Sequence, residues 1–318
     1  MGKGYLYASQ ALKQVSLPGE LQPSANDVDI PLSYTSSLNA LRGFNLVGNP
    51  FPCNANVSGD IAEDFYVMDE GGSQLELATD DVVNPFEGIF VQAMGENANA
   101  TFSRVENNAK GNTVSSYFDI TVSEGRSEID RARVRMGEGK GLEKFSLNEN
   151  SAKIYIPIEK QDYASVFVAD QKMLPLNFEP AKNGTYTLTF DLKNVDLAYL
   201  HLIDNLTGAD TDILNASASY SFDAKTADYA SRFKLVFAEK KLPNESIGSD
   251  FMYYADGQLF VFGTEGNGTV QIVDVAGRVL LNESVDGFAA KSISLKPGIY
   301  VAHMVCGDVV KSQKFVVE

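Results

Sequence analysis

The stretch "GTYTLTFDL", residues 184–192, carries the pattern that predicts the fold of this chain. Threonines and an aspartate alternate in it with four apolar residues, Tyr186, Leu188, Phe190 and Leu192. Successive side chains of a β-strand point to opposite faces of the sheet. The alternation therefore predicts a strand with one face in a core and the other face in solvent.

The same alternation recurs along the chain, for example in "KIYIPIEK" (153–160) and "RFKLVFA" (232–238). Turn-forming stretches such as "AKNGT", "EGNGT" and "VAGR" separate these runs, and no stretch keeps a helical apolar period beyond a turn or two. Many short strands joined by turns predict an all-β fold of consecutive antiparallel β-sandwich modules. The core-facing positions expected in the two quoted runs are Ile154, Ile156, Ile158, Phe233, Leu235 and Phe237.

Changes in composition divide the chain into three modules. The first is expected to span residues 1–108, which end in a polar stretch rich in Asn, and the second to span 109–239. Residues 240–249 are charged and contain Pro and Gly, which is typical of a linker. The third module, 250–318, is small but within the size range that folds alone. The sequence leaves open whether the first two modules share one core.

Composition disfavours several classes of function. The formal net charge of −16 opposes binding to nucleic acid, because Lys and Arg contacts to phosphate dominate that affinity. Cys53 and Cys306 lie far apart, so they form no disulfide framework, and Cys306 is expected to be a buried free thiol. With His201 and His303 as its only histidines, the chain is a poor candidate for a histidine-based zinc site or a nucleophile–histidine–acid triad. No apolar run is long enough for a membrane-spanning helix.

The stretch "DRARVRMGEG" places Arg131, Arg133 and Arg135 on one face of a predicted strand. Arginines exposed in a row could bind carboxylates or acidic glycans through paired hydrogen bonds. Alternatively, they could pair across strands with the many Asp and Glu residues of this chain, which is the favoured interpretation.

A turn in "DNLTGADTD" gathers carboxylates that could bind calcium. Asp204, Asp210 and Asp212 surround a glycine there, and oxygen ligands on a turn suit Ca²⁺. Their spacing differs from that of an EF-hand loop, and such residues commonly bond to their own backbone at turns. The favoured interpretation is an ordinary hairpin without a metal or other cofactor.

Aromatic residues and carboxylates offer two further possibilities. Tyr66, Tyr253 and Tyr254 could form a sugar-binding surface, although core packing is the favoured interpretation for each of them. His201, in phase with Tyr199 in an alternating run, is expected to be packed rather than to bind a ligand. Glycoside hydrolysis needs two carboxylates at a defined separation, and no local motif nominates such a pair.

The third module resembles the C-terminal sorting domain of proteins exported by type IX secretion. The resemblance rests on "VQIVDVAGRVLL", "SLKPGIYVAHMV" and "VVKSQKFVVE". It implies a small Ig-like sandwich that is recognised during export or retention. Pro297 is expected to fix φ in the turn before the strand, and Gly298 to accept a positive φ. The residues at the matching positions are Gly277, Arg278, Pro297, Gly298, Ile299, Tyr300, Lys314 and Val316.

Upstream stretches extend this resemblance to large bacterial secreted surface proteins. "LRGFNLVGNPFPCN" and "VNPFEGIFVQA" are similar to segments that precede such sorting domains, with Phe44 where that family usually has Trp. The N-terminal residues lack the apolar core of a signal peptide. We therefore expect this chain to be the C-terminal part of a larger secreted protein.

Together these observations predict a non-catalytic protein, the stalk and C-terminal anchor of a cell adhesion protein. It is expected outside the cell or on the outer-membrane surface of a Gram-negative bacterium. The expected partners are the secretion and anchoring machinery, and a glycan or protein on a host or neighbouring cell. The alternative is a carbohydrate-binding module of a secreted glycan-utilisation protein, and a glycoside hydrolase is less favoured.

Overall fold

The computed structural model describes residue 4 and residues 26–35, 41–69, 72–105, 115–169, 173–214, 218–239, 251–255, 257–261, 267–286, 289–307 and 309–317. These residues form strands and turns and contain no helix, which confirms the all-β prediction. Within those ranges, no helical segment of the length and hydropathy needed to cross a membrane is found. The chain divides into two compact units: residues 1–195 with 200–236, and residues 196–199 with 237–318. The module boundary near residue 108 and the linker at 240–249 lie outside the described residues.

Two four-stranded sheets form a sandwich at the start of the first unit. The two sheets bury apolar side chains between them. Val47 is 3% exposed, and Val91 and Phe102 are fully buried. The sheet here called sheet A has the order β2 (Phe44–Gly48), β7 (Gly88–Gln92), β4 (Tyr66–Met68) and β5 (Leu75–Leu77). Sheet B has the order β1 (Val28–Pro31), β8 (Asn99–Arg104), β3 (Ala55–Gly59) and β6 (Val82–Val83).

A third sheet of eleven strands, here called the large sheet, follows in the chain. Ten strands lie in one order, and β11 pairs with β13 beside that path. In that order they are β17 (Ala209–Asp212), β16 (Leu197–Asp204), β19 (Phe233–Glu239), β14 (Met173–Glu179), β12 (Lys153–Ile158), β13 (Gln161–Val168), β10 (Ser127–Met136), β9 (Tyr117–Glu124), β15 (Gly184–Lys193) and β18 (Ser219–Ala224), with β11 at Leu142–Glu143.

The first two predicted modules share a core. Tyr66 and Leu77 of sheet A pack in one buried cluster with Leu142, Phe145 and Ala164, which belong to the predicted second module. The Tyr66 hydroxyl donates a hydrogen bond to the carbonyl of Glu143 and accepts one from the amide of Phe145. Sheet A is therefore buried on both faces, against sheet B on one side and against residues of the large sheet on the other.

The large sheet buries an aromatic core of its own. Rings from strands that are not neighbours in the sheet meet there, since Phe178 of β14 lies 5.2 Å from Phe222 of β18 and 5.0 Å from Tyr186 of β15. The alternation predicted for residues 184–192 is confirmed, because Tyr186, Leu188 and Phe190 are all buried. These contacts require the sheet to fold over itself into two packed layers.

Two details depart from the predictions. The pairing of β10 with β13 is parallel, so the sheets are not purely antiparallel. Ile158 is 36% exposed, unlike buried Ile154 and Ile156, because it ends β12 beside the two-residue turn that leads into β13. The other core positions predicted in these runs, Phe233, Leu235 and Phe237, are buried.

The second unit contains a sandwich of seven described strands. Its core joins both sheets, with Leu259 and Val261 from the smaller one and Ile272, Ala302 and Met304 from the larger one, all fully buried. The smaller sheet has the order β20 (Met252–Ala255), β21 (Gln258–Val261) and β24 (Ala289–Ser292). The larger sheet, here called the C-terminal sheet, has the order β23 (Val279–Asp286), β22 (Asn267–Asp274), β25 (Gly298–Cys306) and β26 (Val309–Val317).

Candidate functional site

The arginine strand β10 is the most prominent polar feature of the first unit. Alternation places Ala132 and Val134 on the opposite face of this strand from its arginines, and both are fully buried. Arg133 lies directly opposite Asp119 of β9 in the antiparallel ladder. Its Nε and Nη2 donate hydrogen bonds of 2.7 and 3.0 Å to the two carboxylate oxygens of Asp119. This bidentate pair agrees with the cross-strand pairing that the sequence analysis favoured, and not with an exposed row of arginines.

Arg133 is joined through Asp64 to the next arginine along the strand. Its Nη1 donates to Asp64 Oδ1 at 2.8 Å, and Arg135 donates to both oxygens of Asp64, from Nε at 2.9 Å and Nη2 at 2.7 Å. Arg135 Nη2 also donates to Asp81. The Tyr117 ring lies 4.1 Å from the Arg133 guanidinium and 5.2 Å from that of Arg135, which adds cation–π attraction.

These five ionised residues, here called the arginine network, are mostly hidden from solvent. Arg133 is 0% and Arg135 4% exposed, so the exposed stripe that the sequence offered is absent at these two positions. The third arginine, Arg131, pairs with Glu128 and donates to the carbonyl of Leu77. Buried charges are stable only when they are paired and hydrogen-bonded, which is the condition met here.

The ion pairs shift the pKa values of the buried groups. Burial alone would raise the pKa of Asp64, but the hydrogen bond from Arg135 and the charges of both arginines outweigh it and lower that pKa. Burial also opposes the charged form of Arg133, yet its bonds to Asp119 and the charge of Asp64 raise the pKa of the guanidinium. Asp64 and Arg133 are therefore both charged at neutral pH.

We expect the first unit to lose stability in acid. A carboxyl whose pKa is lower in the folded chain contributes stability that is complete above its unfolded pKa and is lost as pH falls through the folded pKa. For Asp64 the ordinary value is 3.8, so the loss should begin near this pH and continue below it. Urea unfolding midpoints measured at pH 6, 5, 4 and 3 should be level in the first two and fall in the last two. A midpoint that is the same at pH 6 and pH 3 would contradict this account.

The carboxylates proposed for calcium are used in other ways. Asp204 is fully buried and receives two hydrogen bonds from Arg232, at 3.1 and 2.8 Å, and one from the Tyr220 hydroxyl. Asp210 contacts the Nδ1 of His201 at 2.7 Å. Asp212 accepts a hydrogen bond from the amide of Leu214. Across the part of the chain that the structure describes, no three His, Cys, Asp or Glu residues are grouped as metal ligands.

The tyrosines proposed for sugar binding occupy different environments. Tyr66 is 1% exposed and belongs to the shared core, so it offers no surface to a ligand. Tyr253 and Tyr254 are half-buried, and the Tyr254 hydroxyl bonds to the backbone of Ile293. His201 is 7% exposed and packed, as expected.

The cysteines are both free and half-buried, which corrects the expectation of a buried Cys306. That residue shares the core-facing phase of Ala302 and Met304, but it is the last residue of β25, so the core covers it only in part. Cys53 belongs to the margin of the core between sheets A and B.

Two polar cavities open in the first unit. The larger, of about 760 Å³, is lined by Glu124 and Glu128 among other residues. Glu124 pairs with Lys182 at 3.0 Å and Glu128 pairs with Arg131. The smaller, of about 400 Å³, is bounded by Arg135 and Asp81 and so adjoins the arginine network.

The residues that resemble a sorting motif lie at turns and on both faces of the C-terminal sheet. Gly277 has φ +78° in a turn where the Asp274 carboxylate accepts hydrogen bonds from the amides of Ala276 and Arg278 and from the guanidinium of Arg278. The Tyr300 hydroxyl donates to the carbonyl of Lys296 at 2.8 Å, four residues upstream.

One expectation for this motif is wrong. Gly298 does not have a positive φ, because it already belongs to strand β25, and a Cβ there would make only ordinary contacts with the Tyr300 ring. Pro297 immediately precedes this strand and is exposed.

Ile299, Lys314 and Val316 share an exposed face. The ladder pairs Ile299 with Val316 and Val301 with Lys314. Ile299 is 42% and Val316 62% exposed, and Lys314 is also exposed. Tyr300, by contrast, points into the core, as the alternation of the strand requires.

Sequence reasoning missed Asp64, Asp119 and Arg232. Asp119 lies on the neighbouring strand, but a β-bulge between Glu128 and Asp130 shifts the register by one residue, and without it the turn at Gly125 would place Asp119 opposite Ala132. Asp64 and Arg232 had no local signal. Comparisons with family models, with curated proteins and with solved structures find no match to this chain.

Proposed function

We propose that this chain is the stalk and C-terminal anchor of a non-catalytic cell-surface adhesion protein. The observation that carries the proposal is the exposed row on the C-terminal sheet, in which Ile299 faces Val316 and Val301 faces Lys314. Apolar side chains exposed together on a folded surface mark interaction sites more often than chance exposure. In this chain, the exposed apolar side chains occupy positions that resemble a sorting motif. Export machinery could therefore recognise the second unit in its folded state.

The first unit supports the stalk role. Its modules share a core and a buried arginine network, so they form one cooperative body of β-sheets. Two of the carboxylates around its larger cavity are paired with neighbouring cations, Glu124 with Lys182 and Glu128 with Arg131. This arrangement favours a structural role for these groups over an acid and base pair held ready for hydrolysis.

Surface display tests the anchor role. The full chain, placed behind a secretion leader in a bacterium with type IX secretion, should reach the cell surface and be cleaved by added protease. Deletion of residues 250–318 should abolish this exposure. The double variant I299D/V316D should reduce it at least tenfold, because two charges would disrupt the apolar row without touching the core.

A matched control separates recognition from general damage. Leu147 is 45% exposed in the first unit, outside the stretches that resemble the sorting motif, and L147D should be displayed like the unmodified chain. Circular dichroism of the purified variants should show that each is folded. Unchanged display of I299D/V316D, or of the chain lacking 250–318, would refute the proposal.

A further inference from the structure

The smaller cavity of the first unit, here called the Arg135 cavity, has features of a built binding site. It measures about 400 Å³, within the range of roughly 300–1,000 Å³ that is usual for small-molecule sites. Its polar lining mixes donors and acceptors. Among the described residues, the polar side chains around it are Asn56, Ser58, Glu63, Asp81, Ser115 and Arg135.

Arg135 contributes a fixed guanidinium to the lining of this cavity. The residue is 4% exposed, and its Nε and Nη2 are held by Asp64 and Asp81. Its Nη1 makes no hydrogen bond to any of the described residues. A guanidinium that is locked by two carboxylates cannot turn away, so this nitrogen is presented in one orientation and lacks an acceptor.

Asp81 and Glu63 supply acceptors at the same cavity. The Asp81 side chain is 52% exposed, accepts from Arg135 at 2.9 Å and lies 3.4 Å from the Ser115 hydroxyl, which leaves lone pairs free for a ligand. Glu63 is exposed. A Cβ on residue 139 would lie 2.5 Å from a carboxylate oxygen of Glu63, which is too close for a contact. The glycine at this position therefore leaves room for the carboxylate.

The backbone of β3 adds further polar groups. Its ladder with β6 covers only Ala55 and Asn56, whereas its ladder with β8 continues to Gly59. On the β6 side, Val57–Gly59 thus have no strand partner among the described residues, and this segment lines the cavity. The amides and carbonyls on that side can bond to a ligand.

The charges around the cavity select a class of ligand. Arg135 is already balanced by Asp64 and Asp81, and Glu63 adds another negative charge. An anionic ligand would meet two carboxylates at close range, which is unfavourable. A ligand with several hydroxyl groups, each able to donate to a carboxylate and accept from a guanidinium or amide, satisfies both kinds of group at once.

We propose that the Arg135 cavity binds a neutral sugar residue through its hydroxyl groups. This site is independent of the anchor role proposed for the second unit, since none of its residues belongs to that unit. The first unit would then bind a sugar in addition to lengthening the stalk. A purely structural stalk does not need such a site.

Saturation-transfer NMR on the full chain tests the proposal, with glucose, galactose, mannose and N-acetylglucosamine as neutral probes. Glucuronate serves as an anionic probe of similar shape. At least one neutral sugar should bind, and more tightly than glucuronate. N56A should weaken that binding about fivefold by removing one hydrogen-bonding group, and S58W at least tenfold by filling the cavity mouth.

The variant N150A is the matched control, because Asn150 lines the larger cavity instead. It should bind the sugar like the unmodified chain. Absence of binding by every neutral probe, stronger binding of glucuronate than of every neutral probe, or binding by both N56A and S58W that is as tight as that of the unmodified chain would each overturn the proposal. None of these outcomes bears on surface display, so this site and the anchor role can fail separately.

Discussion

Replacing Arg133 with methionine should destabilise the first unit by about 3–5 kcal/mol, because it removes the cation that the buried carboxylates of Asp64 and Asp119 share. Asp119 would retain only Arg131, whose Nε lies 4.0 Å away, and Asp64 would retain only Arg135. Domains of this kind have total stabilities of about 5–15 kcal/mol. The loss would therefore remove a large fraction of the stability of this unit.

Hydrogen exchange measured by mass spectrometry on peptides of β9 and β10 provides the readout, since it reports the opening of each segment separately. Exchange of the most protected amides should become about 100- to 5,000-fold faster in R133M. The same substitution at Arg126, on the exposed turn between these strands, should change their exchange by less than about threefold.

A second variant tests the cause of the loss. In R133M/D119L the unpaired carboxylate of Asp119 is also removed, so part of the lost protection should return, since apolar replacement of a buried pair is often tolerated. If R133M exchanges like the unmodified chain, the arginine network does not stabilise this unit. If the double variant is worse than R133M, the unpaired carboxylate is not the cause.

The strands could be predicted because their signal is local. Whether a side chain of β15 is buried depends on its phase within the strand, and Tyr186, Leu188 and Phe190 follow it. Ile158 does not follow the phase of β12, because the end of a strand lies at the margin of a sheet, where the facing layer no longer covers it. The positive φ predicted for Gly298 is wrong for a similar reason, because strand β25 already begins at this residue and not after it.

The partners of the arginines could be predicted only in part. The hairpin around Gly125 predicts that β9 and β10 pair, but only the β-bulge between Glu128 and Asp130 places Asp119 opposite Arg133 instead of Ala132. Asp64 lies 69 positions from Arg133 and reaches it only when sheet A packs on the large sheet. No periodicity along the chain encodes that contact. The sequence also leaves open whether the first two modules share a core, because that core joins strands by tertiary packing alone.

The arginine network also explains why an arginine row on a strand is a weak sign of a binding surface. One face of β10 carries three arginines, and that face turns toward the layer that bears Asp64 and the carbonyls of Leu77 and Ala78. Alternation gives the face of each residue, but the layer that packs on this face decides whether its side chains reach solvent. In this chain, Arg135 belongs both to the arginine network and to the lining of the Arg135 cavity.

Replacing Arg232 with methionine should cause a second large loss, again about 3–5 kcal/mol. Arg232 is 2% exposed, binds both oxygens of fully buried Asp204 and lies 4.5 Å from the Phe222 ring. Burial would raise the pKa of Asp204, but the hydrogen bonds from Arg232, Leu206 and Tyr220 lower it, so the carboxyl stays charged. Without Arg232 this buried charge has no cation. Hydrogen exchange of β18 and β19 should accelerate about 100- to 5,000-fold.

Addition of calcium distinguishes the Arg232–Asp204 ion pair from the calcium site that the turn sequence suggested. A calcium ion bound by Asp204, Asp210 and Asp212 would stabilise the folded chain by mass action, and D210N would remove that effect. With Asp204 committed to Arg232, millimolar CaCl₂ should leave the unfolding midpoint of the unmodified chain unchanged. D210N keeps an oxygen for His201 and should cost less than about 1 kcal/mol, because Asp210 is part-exposed. A rise in the midpoint with calcium that D210N abolishes would show that the ion, and not Arg232, is the partner of these carboxylates.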